Sequence, residues 1–124
     1  MPNATRFMPS DPTRLALFDI RDNGRLAQEF VGEMSAEEFE ADRRTFYAVT
    51  RCLEIVSEAC RRLDQGLRDR HPELPWRAIM GVGNVYRHDY DNVVEAFVWR
   101  TVRHNLAPLL TAIEQEIDSL DIGA

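Results

Sequence analysis

The clearest pattern in the chain is a run of apolar positions spaced 3-4-3-4-3: Phe46, Val49, Leu53, Val56, Cys60 and Leu63. A helix advances about 100° per residue, so this spacing gathers all six on one seam over about five turns. Gly66 stands where such a helix would end. Upstream, Ser10-Asp11-Pro12 is a helix-start signal, a capping side chain followed by a proline in the first turn. Leu15, Phe18, Leu26 and Phe30 fall roughly on one face of the helix it opens. Asn23-Gly24 interrupts that helix, but its flanks do not alternate as strands do. The pair therefore predicts a weak spot of about 1 kcal/mol within a helix rather than a hairpin turn. Ser35-Ala36-Glu37-Glu38 matches a capping box opening a short helix to Ala41, and Asp42 caps the seam helix.

Residues 67–74 read as a polar connection closed by His71-Pro72, because the residue before proline avoids helical backbone. Pro75 suits the first position of a helix running to about His88. Asp91 or Asn92 is expected to cap a last helix, with Val94, Phe97, Val98 and Thr101 opening its apolar stripe and Leu106 to Leu120 continuing it. Pro108 lacks a backbone donor, which predicts a kink one turn earlier. Nothing reads as a strand. The pattern predicts an all-α domain over residues 11–120, an antiparallel bundle of four main helices plus one short helix. A loose arm of residues 1–10 and a tail of residues 121–124 flank it.

Composition narrows the class. The chain has 124 residues, 44% of them hydrophobic and 29% charged, which suits one soluble domain able to bury a core without staples. No apolar run reaches the roughly 20 residues a membrane helix needs, and residues 1–10 lack the apolar stretch of a secretory signal. Two cysteines make no disulfide framework, so a cytoplasmic location is expected. All 15 basic residues are arginine, and the net charge of −6 argues against non-specific coating of nucleic acid; no DNA binding is expected. The charge is uneven, however. Residues 60–104 hold 8 arginines against 6 acids, and the rest of the chain 7 against 15, so any contact with RNA is expected within 60–104.

Most candidate chemistry falls away. Cys52 and Cys60 lie eight residues apart on one helix, a spacing without metal-ligand character. No metal or cofactor is expected. Gly81-Val82-Gly83 begins like a dinucleotide loop but lacks the third glycine and a preceding strand, and close approach of a neighbouring backbone is the better reading. Trp76 and Trp99 suit base stacking or core packing, with packing favoured. The informative stretch is Gly83-Asn84-Val85-Tyr86-Arg87-His88-Asp89-Tyr90. On a helix Arg87 lies about 60° to one side of Asn84 and His88 about 40° to the other, so the three share one sector, with Tyr90 just beyond. A histidine can act as general acid or base and an arginine can clamp a phosphate. Together they suit metal-free RNA cleavage by the ribose 2′-OH. A polar helix end is more often ordinary solvated surface, and spacing alone favours that reading.

Several blocks together resemble one family. Arg51-Cys52-Leu53-Glu54-Ile55-Val56-Ser57-Glu58-Ala59 is similar to a helix pattern LEIIGEAA, and His71 to Ile79 to a pattern HPEIPWRAI. Asn84 with His88-Asp89-Tyr90 follows, then Val98-Trp99-Arg100-Thr101-Val102 and Leu106-Ala107-Pro108-Leu109. In this order they resemble the HepT-like family of HEPN domains from Asp11 to about Ile117. The resemblance implies a homodimeric ribonuclease toxin whose catalytic cleft forms where the motif helices of two subunits meet. It also implies an MntA-like minimal nucleotidyltransferase antitoxin that transfers AMP to the motif tyrosine. The family motif is Arg, four to six residues, His, any residue, Tyr. Carried over, the histidine is His88, the AMPylated tyrosine is Tyr90, and Asn84 matches the asparagine that commonly follows the arginine. The arginine position is Gly83 here. Arg87, one turn further along, is the candidate substitute, on the expectation that Gly83 leaves room for it to lie back; Arg77 is a more distant fallback. The alternative is a catalytically inactive HEPN module that dimerises and binds a nucleotidyltransferase.

Overall fold

A computed structural model describes residues 11–88 and 93–123 of the chain. Among these the architecture is all-α and builds an antiparallel bundle. Helix α1 spans Asp11–Val31, α2 Ala36–Ala41, α3 Arg43–Arg61, α4 Gln65–Asp69, α5 Trp76–His88, α6 Glu95–Arg100 and α7 Leu106–Gly123, with a π-helical turn at Thr101–Asn105 joining the last two. Four main helical segments (α1, α3, α5 and α6–α7) carry the bundle, as the pattern predicted. Two short helices, α2 and α4, accompany them where one was expected. Helix α7 continues to Gly123, through most of the stretch set apart as a tail.

Local chemistry explains most boundaries. Ser35 Oγ accepts from the Glu38 N–H at 3.1 Å while the Glu38 carboxylate accepts from the Ser35 N–H at 2.8 Å, a complete capping box for α2. Asp42 accepts from the Thr45 N–H at 3.0 Å and caps α3; that bond holds its carboxyl below the usual range. Gly32, with φ of 52°, ends α1 in the left-handed region that glycine enters without cost. Three boundaries depart from expectation. Helix α3 stops at Arg61, and Gly66 lies inside α4 rather than at a terminus. The connection expected at 67–74 is therefore partly helical, anchored by the buried Leu67. Asp91 and Asn92, expected to cap the last helix, lie outside the described residues; Val94 occupies the N-cap of α6 with no side-chain bond.

The seam of α3 is the centre of the core. Phe46, Val49, Leu53, Val56, Cys60 and Leu63 are all buried. Helix α1 is the main correction. Its buried face is Thr13, Ala16, Leu17, Ile20, Ala27 and Val31, whereas Leu15 is 60% exposed and Leu26 and Phe30 also reach solvent. That face mixes Leu17, Ile20 and Val31 with small residues, and at the small positions a neighbouring helix comes close. A Cβ at Gly24 would sit 2.6 Å from Leu110 Cδ2, so the glycine is a packing position and α1 continues through it. On α6, Val98 is buried, but Val94 and Phe97 are largely exposed, unlike the stripe predicted for them. Where a kink was expected before Pro108, the helix carries the π-helical turn at Thr101–Asn105.

Candidate functional site on α5

Helix α5 begins at a polar anchor. Glu116 of α7 receives Arg70 Nη2 at 2.6 Å and Arg70 Nε at 3.2 Å, and His71 Nε2 lies 2.7 Å from its Oε2. Burial pushes the Glu116 carboxyl up, but the hydrogen bonds from Arg70 and His71 outweigh it and leave the group below its usual range. Trp76 Nε1 donates to the His71 carbonyl at 2.9 Å and to the Arg68 carbonyl at 3.1 Å, closing the loop onto the first turn. Trp99 Nε1 donates likewise to the Met34 carbonyl at 2.9 Å. Both indoles thus serve packing and loop closure, the favoured reading of the two.

The other half of α5 presents the candidate chemistry. Asn84 and His88 are both exposed and one turn apart on the outer face. The backbone of Arg87 lies in the same helix, while its side chain and the whole of Tyr90 lie outside the described residues. Arg77 is exposed at the start of α5, three turns or about 16 Å before His88. The structure thus brings Asn84 and His88 to one face one turn apart, with Arg77 two turns before Asn84 and furthest from His88.

Gly83 points the other way. It is buried against α3, and its N–H donates to Ser57 Oγ at 2.9 Å. A Cβ there would meet Ser57 Oγ at 2.6 Å, Ser57 Cβ at 3.0 Å and Glu58 Oε2 at 3.4 Å. The space beside Gly83, expected to be open for a neighbouring arginine, is occupied by Ser57. The close backbone approach read from the glycine pair is a side-chain contact, and it exists at Gly83 alone; a Cβ at Gly81 would meet nothing within 4 Å. Two of the departures from the resembled patterns meet in this contact: Ser57 stands where the helix pattern has glycine, and Gly83 where the motif has arginine.

The cysteines take no part. Cys60 is fully enclosed and burial pushes its thiol up to about 12; burial raises Cys52 too. Neither offers a thiolate near neutral pH.

A comparison with family models matches residues 20–116 to "Ribonuclease HepT-like". The chain belongs to the ribonuclease HepT-like family. Among curated proteins, "Probable ribonuclease HepT" of Thermococcus cleftensis is 33% identical over 99 residues, covering 80% of this chain and 90% of that protein. "Putative RNase MJ0125" of Methanocaldococcus jannaschii is 28% identical over 114 residues, covering 92% and 98% respectively. "Putative RNase TTE0752" of Caldanaerobacter subterraneus is 30% identical over 87 residues, covering 70% and 78%. No solved structure matches the chain. The HepT-like family and the all-α fold read from the blocks in the sequence are thus both met.

Ser57 was missed as a site residue by sequence reasoning. A signal existed: a hydroxyl beside the apolar seam of α3, where it needs a partner once buried.

Proposed function

We propose that this HepT-like protein is a metal-independent endoribonuclease, the toxin of a pair with a minimal nucleotidyltransferase. The observation that carries the reading is the placement of Asn84 and His88 on one exposed face of α5 in a chain whose relatives are named as ribonucleases. The 2′-oxygen of a ribose attacks its own phosphate. The bond to the 5′-oxygen breaks, and a cyclic phosphate and a free 5′-hydroxyl remain. His88 acts as base or acid on the protons that move, Arg87 clamps the phosphate, and Asn84 orients the phosphate or the imidazole. The cleft forms between two copies of the chain, and RNA enters it in the cytoplasm. AMP on Tyr90, between Asp89 and Asp91, blocks the site by bulk and by added negative charge where a phosphate must approach.

The test is incubation of the purified protein with total RNA in chelator, beside His88→Ala. Cleavage by wild type alone is expected; cleavage that survives His88→Ala removes this mechanism. One observation favours the second reading, an inactive module that dimerises and docks the nucleotidyltransferase: the motif's arginine position is a glycine sealed by Ser57. Absence of cleavage by wild type with Tyr90 shown unmodified by mass spectrometry would select it. An antitoxin that still neutralises Tyr90→Phe by modifying this motif would refute the AMPylation role.

A further inference from the structure

The geometry points to Ser57 of α3 as a positioning residue that aims Asn84 and His88 through its hold on one rung of α5. The inference rests on the ribonuclease reading above. Ser57 is 1% exposed, and its hydroxyl meets both ends of a single helical rung. It donates to the Ile79 carbonyl at 2.7 Å and accepts from the Gly83 N–H at 2.9 Å. Those two groups are the acceptor and donor of one i to i−4 step. The next carbonyl, Met80, lies 3.2 Å from the same hydroxyl and receives Arg61 Nε at 3.0 Å. Helix α5 is therefore gripped from α3 by its backbone in the turn immediately before Asn84.

The grip matters because Gly83 carries no side chain of its own to key into α3. On an ideal helix Asn84 lies about 100° round from Gly83, and His88 lies about 40° beyond Asn84, so a backbone pinned at Gly83 directs both outward. A helical side-chain tip stands about 6 Å from the axis, so a rotation of about 20° carries it about 2 Å. Misplacement by about 1 Å can cost about 100-fold in rate. Ser57 touches neither substrate nor reacting atoms; it acts through the rung.

The experiment compares the full chain as wild type, Ser57→Ala and Ser57→Thr at a temperature where circular dichroism shows all three folded. Steady-state cleavage of a short RNA gives kcat and KM separately, and NMR follows the Asn84 side-chain amide and the His88 ring. Ser57→Ala is expected to lower kcat by about tenfold or more with KM within about twofold. It should also move both NMR signals, and Ser57→Thr, which keeps the hydroxyl, should restore kcat and signals. Ser57→Ala cleaving within about threefold of wild type overturns the inference and leaves the ribonuclease reading standing. So does a folded Ser57→Thr as impaired as Ser57→Ala, because the hydroxyl would then not be the active element. A wild type that cleaves no RNA overturns the ribonuclease reading instead. The NMR comparison then decides alone, with moved signals supporting the hold of Ser57 and unmoved ones overturning it. Should Ser57→Ala fail to fold, Ser57→Cys, similar in shape and a poor donor, replaces it under the same criteria.

Discussion

The two ends of α5 are secured by different chemistry. Its start is tied to α7 by the Arg70–Glu116 ion pair, with His71 hydrogen-bonded to the same carboxylate and with Trp76 stitching the loop. Its far half is held to α3 by a neutral hydroxyl on the Ile79–Gly83 rung, and the outward side of that half carries Asn84 and His88. A charged anchor resists separation but varies with pH. A hydroxyl in a buried, close-packed contact fixes rotation and register and does not titrate. The candidate site sits at the end held by the contact that pH does not disturb.

The largest effect expected along α5 is catalytic. His88→Ala should lower RNA cleavage by about 100-fold or more while leaving the melting temperature nearly unchanged, since the side chain is exposed. A fall in melting temperature as large as the packing variants produce would instead make His88 part of the scaffold. Next comes Gly83→Ala. Replacing glycine by alanine inside a helix normally stabilises by about 1 kcal/mol. Here the new Cβ would meet Ser57 at 2.6 Å, so the sign reverses to a loss of about 1–3 kcal/mol. Ser57→Gly in the same chain should recover most of it in denaturant titrations, and additive losses in the double variant would break the contact described here.

The charged end should give a smaller, pH-dependent effect. Glu116→Gln is expected to cost about 1–2 kcal/mol near neutrality. The folded carboxyl lies below its ordinary value of 4.5, so its contribution is present above that value and fades as pH falls through the lower folded one. Wild type and Glu116→Gln should therefore converge in stability as the pH falls below the ordinary carboxylate range; a gap that does not narrow with acid would rule out the ionic account. Trp76→Phe, which removes the indole donor and part of the ring packed on the core, should cost about 1–3 kcal/mol, and native-state hydrogen exchange should rise first in the opening turns of α5. Uniform exchange along the helix would mean that its two ends are not held separately.

What the amino-acid order determined by itself is local. The seam of α3 was legible because six apolar residues at heptad spacing leave a helix one face to bury, and the capping box at Ser35 and Glu38 because both partners lie within four residues. Family membership was legible in the same way, from contiguous blocks. The burial of α1 was not. Leu15, Leu26 and Phe30 mark a face that reaches solvent, while Leu17, Ile20, Ala27 and Gly24 lie on the face that neighbours cover. Which face wins is set by how near the helices can approach, and that depends on side chains from another helix, such as Leu110. The same holds at the site. Asn84 and His88 share a face by helical arithmetic alone, but the direction of that face follows from Ser57 meeting Gly83, 26 residues away in the chain. Periodicity reports which residues travel together around a helix; only packing in three dimensions sets where they point.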